Sequence, residues 1–326
     1  MKEPSIENKK RGELPLISFC VFSYNQEDII LEAIESAFNQ TYENIEFIFS
    51  DDNSSDKTFR VIDEYVKSMK NKRIVKLIKN INNLGISKHL DNVVRNHCKG
   101  KLIIVQAGDD VSFKERTDDI VTMWKKSNQE IYCISSRFIE MEYNSTIIRQ
   151  IHNTNNDENI DKISNREFIK YYKGDIGATF AFRPEVITSF NPMQSKHYED
   201  KCIAFRSKLL GGYVTINKVL LYHRKEGISN FKTTREYEDN VLKVRPIILE
   251  QMLIDIQEPI LKIKYSIKEL NFYKKIINKH LNFYLLMHKF IDANSINKLL
   301  FLVKLILNGD FYRVRIWRNR IFNELF

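Results

Sequence analysis

The chain is expected to be an α/β protein, a mostly parallel sheet flanked by helices and followed by a helical C-terminal extension. Between Ile17 and Gln106, short β-branched apolar runs alternate strictly with amphipathic stretches, the pattern of βαβ units. Three of those runs empty into polar clusters, which suits strands that deliver side chains to one edge of an open sheet. From Phe231 onward strand patterns fade and apolar residues recur at helical spacing.

In order, Ile17 to Phe22 reads as a buried strand followed by Ser23-Tyr24-Asn25. Glu27 and Asp28 then open a helix whose Ile29, Ile30, Ala33, Ile34, Ala37 and Phe38 make one apolar face, the acids suiting the helix dipole. Ile45 to Phe49 is a second strand, ending in Asp51-Asp52-Asn53-Ser54; Thr58 to Met69 is a helix, Ile74 to Ile78 a strand and Ser87 to Asn96 a helix. Leu102 to Gln106 is a fourth strand, short and apolar as a strand covered on both faces should be, and it leads to Gly108-Asp109-Asp110. Ile131 to Ser136 is a further strand, His152 to Asn165 a polar loop, and Gly174 to Phe182 a loop of small residues entering a strand. His197-Tyr198-Glu199-Asp200 precedes an amphipathic helix carrying Ile203, Phe205, Leu209 and Leu210.

Bulk properties narrow the classes. A hydrophobic fraction of 43% in 326 residues supports a sizeable core, and Gly 10 with Pro 6 argues against a fibrous or disordered chain. The net charge of +9 would attract nucleotide phosphates, anionic lipid or nucleic acid alike, but no nucleic-acid recognition module is visible. Cys20, Cys98, Cys133 and Cys202 lie scattered without metal-ligand spacing, as core thiols of a reducing compartment would. Residues 1–13 form a polar tail without the apolar stretch of a secretory signal, and Lys304 interrupts the longest apolar stretch, Leu299 to Leu307. A cytoplasmic protein is expected, with membrane contact at most peripheral.

The strand-end clusters carry the chemistry. No GxGxxG follows the first strand and GxxxxGK[ST] is absent, which argues against a dinucleotide dehydrogenase or a P-loop enzyme. Adjacent carboxylates such as Asp109 and Asp110 repel unless a proton or cation joins them, and a hard divalent ion holding a diphosphate would resolve the repulsion; a solvated acidic turn is the plain alternative. An Asp at the second strand end can accept hydrogen bonds from a base or ribose, and Tyr24 offers a stacking face. Glu199 and Asp200 could equally be favourable charges at a helix N-terminus.

The stretch SFCVFSYNQEDIILEAIESAFNQTYENIEFIFSDDNSSDKT resembles the opening of family 2 glycosyltransferases of the GT-A fold. The resemblance continues through Asn80 to Asn92 and Gln106 to Arg116 and covers roughly Leu14 to Asn230. It implies a polar tail at 1–13, a GT-A catalytic domain at 14–230 and a helical region at 231–326. It also implies a nucleotide site with Tyr24 near the base, Asp52 recognising it and Asp51 beside the same pocket. Asp109 matches the second carboxylate of the family's DxD-like metal motif, Asp110 is its neighbour, and Ala107 stands where the first acid would be. Lys88 lies where a cation could approach the diphosphate, and is equally an ordinary lysine on a solvated helix face. Asp200 matches the base of the family's ED motif. In Tyr222-His223-Arg224-Lys225 the approximate place of a family histidine falls to Lys225, with His223 nearer the tyrosine; either could contact phosphate or metal.

The implied activity is metal-dependent, inverting transfer of a sugar from a nucleotide-sugar donor, first of all a UDP-sugar, with Mn2+ or Mg2+ as cofactor. The acceptor would be a saccharide or lipid-linked saccharide in bacterial surface-polysaccharide assembly. The alternative is a non-catalytic nucleotide-binding module acting in oligomerisation or anchoring.

In the C-terminal third, Glu236 to Gln257, Ile260 to Ile291, Ser295 to Leu307 and Phe311 to Phe326 are the helical segments, with Pro246 and Pro259 expected to interrupt or start helices. The stripe through Tyr265, Leu270, Tyr273, Ile276, Ile277, Leu281, Tyr284 and Leu285 suits a core or an interface between copies of the chain. Trp317 and its aromatic neighbours, interleaved with Arg313, Arg315, Arg318 and Arg320, suit an anionic membrane surface. A helix packed on the catalytic domain with a solvated basic face fits them equally.

Overall fold

The computed structural model describes residues 14–69, 73–142, 144–151, 159–160, 165–171, 175–195, 198–224, 233–293, 295–307, 317 and 320–321. The chain divides into two compact units, residues 1–230 and 231–326. The expected tail at 1–13 and nearly all of the loop from His152 lie outside the described residues, as do His197 and Lys225.

The first unit alternates as expected. β1 (Ile17–Ser23) is buried along its whole length, and α1 (Ile30–Phe38) follows, burying Ile30, Ala33, Ile34, Ala37 and Phe38 at three- and four-residue spacing. Helix α1 begins after Glu27 and Asp28. Glu27 instead accepts a hydrogen bond from the Lys57 backbone N–H at 2.8 Å, so it joins two strand-end loops rather than opening a helix. β2 (Ile45–Asp51), α2 (Thr58–Ser68), β3 (Ile74–Lys79), α3 (Ile86–His97) and β4 (Leu102–Ala107) complete the alternation. Then come β5 (Val111–Ser112), α4 (Arg116–Lys126), β6 (Cys133–Met141), β7 (Ile147–Ile151), β8 (Asn159–Ile160) and α5 (Asn165–Tyr171). A 3-10 turn (Gly177–Thr179), β9 (Ala181–Phe182), α6 (Glu185–Thr188), α7 (Glu199–Leu210) and β10 (Tyr213–Arg224) close the unit.

The strands form one sheet in the order β3-β2-β1-β4-β9-β6-β10-β5, with β7 beside β6 and β8 beside β10. Strands β3, β2, β1 and β4 are mutually parallel. Two-residue β9 then runs antiparallel between β4 and β6, and β10 is parallel to β6. Strand order reverses between β1 and β4, and the crevice outside the carboxyl ends of such strands is where open α/β sheets bind ligands. A continuous core of Phe19, Phe47, Phe49, Ile104 and Trp124 among others lies beneath that edge.

The second unit is helical: α8 (Thr234–Asp255), α9 (Pro259–Lys264), α10 (Ile267–Ile291) and α11 (Ser295–Leu307). The single stretch expected from Ile260 to Ile291 is two helices, because Ser266 and Glu269 form a capping box that starts a new one. Pro259 occupies the first turn of α9, as its missing N–H favours. Pro246 does not interrupt α8. The carbonyl left without its helical donor, that of Leu242, accepts a hydrogen bond from His288 Nε2 at 2.9 Å instead. Of the aromatic and basic C-terminal segment, the described residues Trp317 and Ile321 belong to the core of this unit with Phe283, Met287 and Phe290. Arg320 is 5% exposed and pairs with Asp239 at 2.8 Å, so these three residues face protein. No described helix is long and apolar enough to cross a membrane.

Candidate functional site

The loops after β1 and β2 are laced together. Asn25 N–H donates to Ser54 Oγ at 2.9 Å, Ser55 N–H to Asn25 Oδ1 at 2.9 Å, and Gln26 N–H to Thr58 Oγ1 at 2.7 Å. Asn25 and Asn53 take the left-handed backbone conformation, which asparagine tolerates better than most residues. Tyr24, 47% exposed, stands at the rim of this pair of loops with its ring free to stack.

The two second-strand aspartates differ. Asp51 has no exposed surface, and its carboxylate accepts the Ser54 N–H at 2.8 Å together with the Ser54 and Ser23 hydroxyls, closing the turn from inside. Asp52 accepts Asn80 Nδ2 at 2.7 Å and Leu84 N–H at 2.9 Å on Oδ1, and Gly85 N–H at 2.8 Å on Oδ2, so it holds the loop entering α3. A carboxylate offers about four acceptor positions, which leaves Asp52 room for one further donor. Behind it, buried His89 contacts Ser50 Oγ at 2.6 Å, and burial pushes its pKa down to about 4. The 3.9 Å approach of His89 to Asp52 is therefore not an ion pair at neutral pH. Lys88 is exposed in the first turn of α3.

At the end of β4, Gly108 N–H donates to Phe22 O on β1 at 2.7 Å. A Cβ at position 108 would sit 2.3 Å from Gln26 Oε1 and 2.8 Å from Ile30 Cδ1, side-chain ends that can move, and 3.1 Å from the backbone carbonyl oxygen of Phe22, so the end of β4 passes close against β1 and α1. The turn delivers Asp109 and Asp110. Asp110 is fully buried; its Oδ1 accepts His223 Nδ1 at 3.0 Å and Arg224 N–H at 3.0 Å, while its buried Oδ2 has no hydrogen-bond partner. Arg224 also donates from Nε to the Asp109 carbonyl at 2.8 Å and from its far end to Glu32 Oε2 at 2.8 Å. One arginine thus pins both residues of the acidic corner and ties it to α1. Burial, then the neighbouring Asp110 charge, raises the Asp109 pKa to about 6. Burial opposes charge on His223, but the hydrogen bond and charge of Asp110 outweigh it and hold the imidazole above its ordinary pKa.

The ED pair lies at the start of α7. Tyr198, immediately before it, has φ 74 and ψ 34, a left-handed conformation that costs a bulky residue energy and is found at sites where the chain must be aimed. Asp200 Oδ1 accepts Lys201 N–H at 2.7 Å and Oδ2 pairs with Lys201 Nζ at 2.8 Å. Burial, then the Asp200 charge, raises Glu199 to about 8, so Glu199 is mostly protonated at neutral pH.

Residues 18–189, more than half of the chain, match the model of glycosyl transferase family 2. The chain belongs to this family. Similar proteins include EpsE of Bacillus subtilis, a glycosyltransferase by name, 35% identical over 34% of this chain and 39% of its own length. Another is the UDP-Glc:alpha-D-GlcNAc-diphosphoundecaprenol beta-1,3-glucosyltransferase WfaP of Escherichia coli, 31% identical over 42% of this chain and 48% of its own. The chain thus spans less than half the length of these two relatives. Among solved structures, the 1–349 segment of S. aureus TarS in complex with UDP-GlcNAc superposes with a TM-score of 0.58 at 18% identity, over 84% of this chain and 72% of that segment. That likeness establishes the GT-A fold expected from the sequence.

Within this family 2 domain the structure brings Tyr24, Asp52, Asp109, Asp110 and His223 to the carboxyl edge of the sheet, whereas Lys225 lies outside the described residues. Sequence reasoning ranks Asp109 first as a metal ligand, yet the unpartnered buried oxygen belongs to Asp110. It passes over Arg224, Arg116 and Asp175 as site residues, although all three stand in the YHR, QAGDDVSFKER and GDIGATF stretches. Among the described residues no group of three or more His, Cys, Asp or Glu is arranged to hold a metal ion. His223 turns Nδ1 onto Asp110 rather than toward a shared centre. What remains is two adjacent carboxylates, one with an unsatisfied oxygen, the set with which a hard dication binds a diphosphate that supplies its other ligands. The residues fit such an ion.

Proposed function

We propose that this protein transfers a sugar from a nucleoside diphosphate sugar to an acceptor hydroxyl, with a divalent cation and with inversion at the anomeric carbon. The observation that carries the reading is the buried, unpartnered Asp110 Oδ2 at the crevice between β1 and β4. A buried carboxylate oxygen without a donor is costly, and a cation with diphosphate would satisfy it.

Each residue then has a task. Tyr24 stacks on the base, and Asp52 accepts one N–H from it while Asp51 and His89 keep the loops in shape. Asp110 and Asp109, held by Arg224 and His223, would bind Mn2+ or Mg2+, which when present neutralises charge on the departing diphosphate. Lys88, like Lys225, remains a candidate for phosphate contact. Asp200 accepts the proton of the attacking hydroxyl, which is a poor nucleophile without a base. One base opposite the leaving group makes a single displacement, hence inversion, and needs no covalent sugar intermediate.

WfaP by name takes UDP-Glc and a diphosphoundecaprenol-linked acceptor, which supports a UDP-sugar donor and a lipid-linked saccharide acceptor here. Such an acceptor would bring a cytoplasmic enzyme to the inner face of the membrane in surface-polysaccharide assembly. Ala107, where the metal motif has an acid, favours a second reading, a nucleotide-binding module without turnover. Hydrolysis of a panel of UDP-, GDP- and dTDP-sugars with and without Mn2+ separates the two. The enzyme reading expects Mn2+-stimulated release of nucleotide that Asp200→Asn reduces to a small residual rate while nucleotide binding persists. Wild-type turnover by Asp200→Asn would remove the assigned base.

A further inference from the structure

A second cluster of hydrogen bonds lies behind the ED pair and has no role in the chemistry above. Asp175 Oδ2 accepts hydrogen bonds from Tyr213 OH at 2.8 Å, Thr215 Oγ1 at 2.6 Å and the Ser135 hydroxyl, and the Asp175 N–H approaches Tyr213 OH at 3.2 Å. The three hydroxyls come from the paired strands β6 and β10, toward one end of the sheet. Two residues on, the chain makes the tight turn Gly177–Thr179, whose far end is fixed by fully buried Arg116: its guanidinium donates to Ala178 O at 2.7 Å and to Val105 O of β4 at 2.9 Å.

Between those anchors Gly177 meets the ED pair. A Cβ at position 177 would lie 2.9 Å from Glu199 Oε1 and 3.3 Å from Asp200 Cβ. The turn is therefore a ledge against both acids, held at one end by a carboxylate under three hydroxyls and at the other by an arginine bonded to the strand that leads into Asp109 and Asp110. Side chains that must be placed within a fraction of an ångström need such a second layer of support.

We propose that Asp175 is a positioning residue for the transfer reaction, its hydroxyl clamp setting the 175–179 ledge against which Glu199 and Asp200 are aligned. The proposal rests on the reading of Asp200 as the base. Asp175 touches neither donor nor acceptor in it, so its removal should slow the chemical step and leave donor binding alone.

The test uses the full chain and the nucleotide sugar that the wild type hydrolyses best in the panel above. Asp175→Ala should lower kcat at least tenfold with donor KM within twofold. Thr215→Val, which removes one donor and keeps the shape, should show a smaller loss of the same kind and serves in its place should Asp175→Ala fail to fold. Asp175→Asn, which keeps an acceptor oxygen, should recover part of the rate. In an Asp200→Asn background the clamp substitution should cause no further loss of residual hydrolysis. A folded clamp variant with kcat within twofold of wild type, a rise in KM with kcat retained, or an equal loss in the Asp200→Asn background would overturn the proposal. An Asp200→Asn protein as fast as wild type would instead overturn the base assignment, so the two failures are distinguishable.

Discussion

His223 donates from Nδ1 to Asp110 Oδ1 at 3.0 Å, although 113 residues separate the two in the chain. The contact exists because β10 runs antiparallel to β5, Tyr222 opposite Val111, which brings the end of the last strand beside the corner that follows β4. His223 and the Arg224 N–H together occupy one oxygen of Asp110 and leave the other buried without a hydrogen-bond partner.

Asp110→Asn should therefore uncouple nucleotide from metal. In wild type, Mn2+ should tighten UDP binding and EDTA should reverse the gain. In the variant the gain should shrink at least tenfold, with binding in EDTA unchanged. Calorimetric titration of UDP with and without Mn2+ reads both numbers, and an undiminished Mn2+ effect would return the ligand role to Asp109.

Gly108→Ala tests the turn that aims the same corner. The new methyl meets the ends of Gln26 and Ile30, which can shift, but also the Phe22 carbonyl at 3.1 Å, which is fixed in β1. Overpacking of this kind costs about 1–3 kcal/mol. Urea unfolding should show that loss, accompanied by weaker nucleotide binding, because the displaced neighbour Gln26 belongs to the loop carrying Tyr24.

Much of this edge was legible from local pattern. The first four strands and their helices follow from alternation of apolar runs, because each element packs on its sequence neighbours. Tyr24 and the pairs Asp51-Asp52 and Asp109-Asp110 stand out because each closely follows such a run, and it is the resemblance to family 2 that prefers Asp52 and Asp109 within their pairs. What escaped depends on partners far away in sequence. Two-residue β5 and β9 have no pattern of their own and exist through pairing with β10, β4 and β6. Arg116 and Arg224 look like surface residues until their guanidinium groups are seen buried under backbone carbonyls. Asp51 and Asp52 are indistinguishable as letters, and only the inward turn of Asp51 separates them.

Glu199 makes stability depend on pH. Its folded-state pKa of about 8 lies above the ordinary 4.5, so the folded protein keeps a proton that the unfolded chain has released. The contribution of this group is complete below about pH 4.5 and is lost as pH rises through about 8. Glu199→Gln cannot titrate, so its stability relative to wild type should improve steadily between pH 5 and pH 8 in urea unfolding. A difference constant across that window would mean that Glu199 is already ionised at pH 5.

In the helical unit, His288 and Pro246 should be energetically coupled through Leu242. A proline within a helix removes the N–H that would bond the carbonyl four residues earlier, and here that carbonyl is Leu242 O, which His288 Nε2 supplies from α10. His288→Ala strands a carbonyl on a residue only 2% exposed, at a cost of about 1–3 kcal/mol. Pro246→Ala restores the helical donor, so the same His288→Ala change should cost less than half as much in that background. Urea unfolding of the four proteins of this cycle gives the coupling directly. Equal costs in both backgrounds would show that α8 accommodates Pro246 without help from α10.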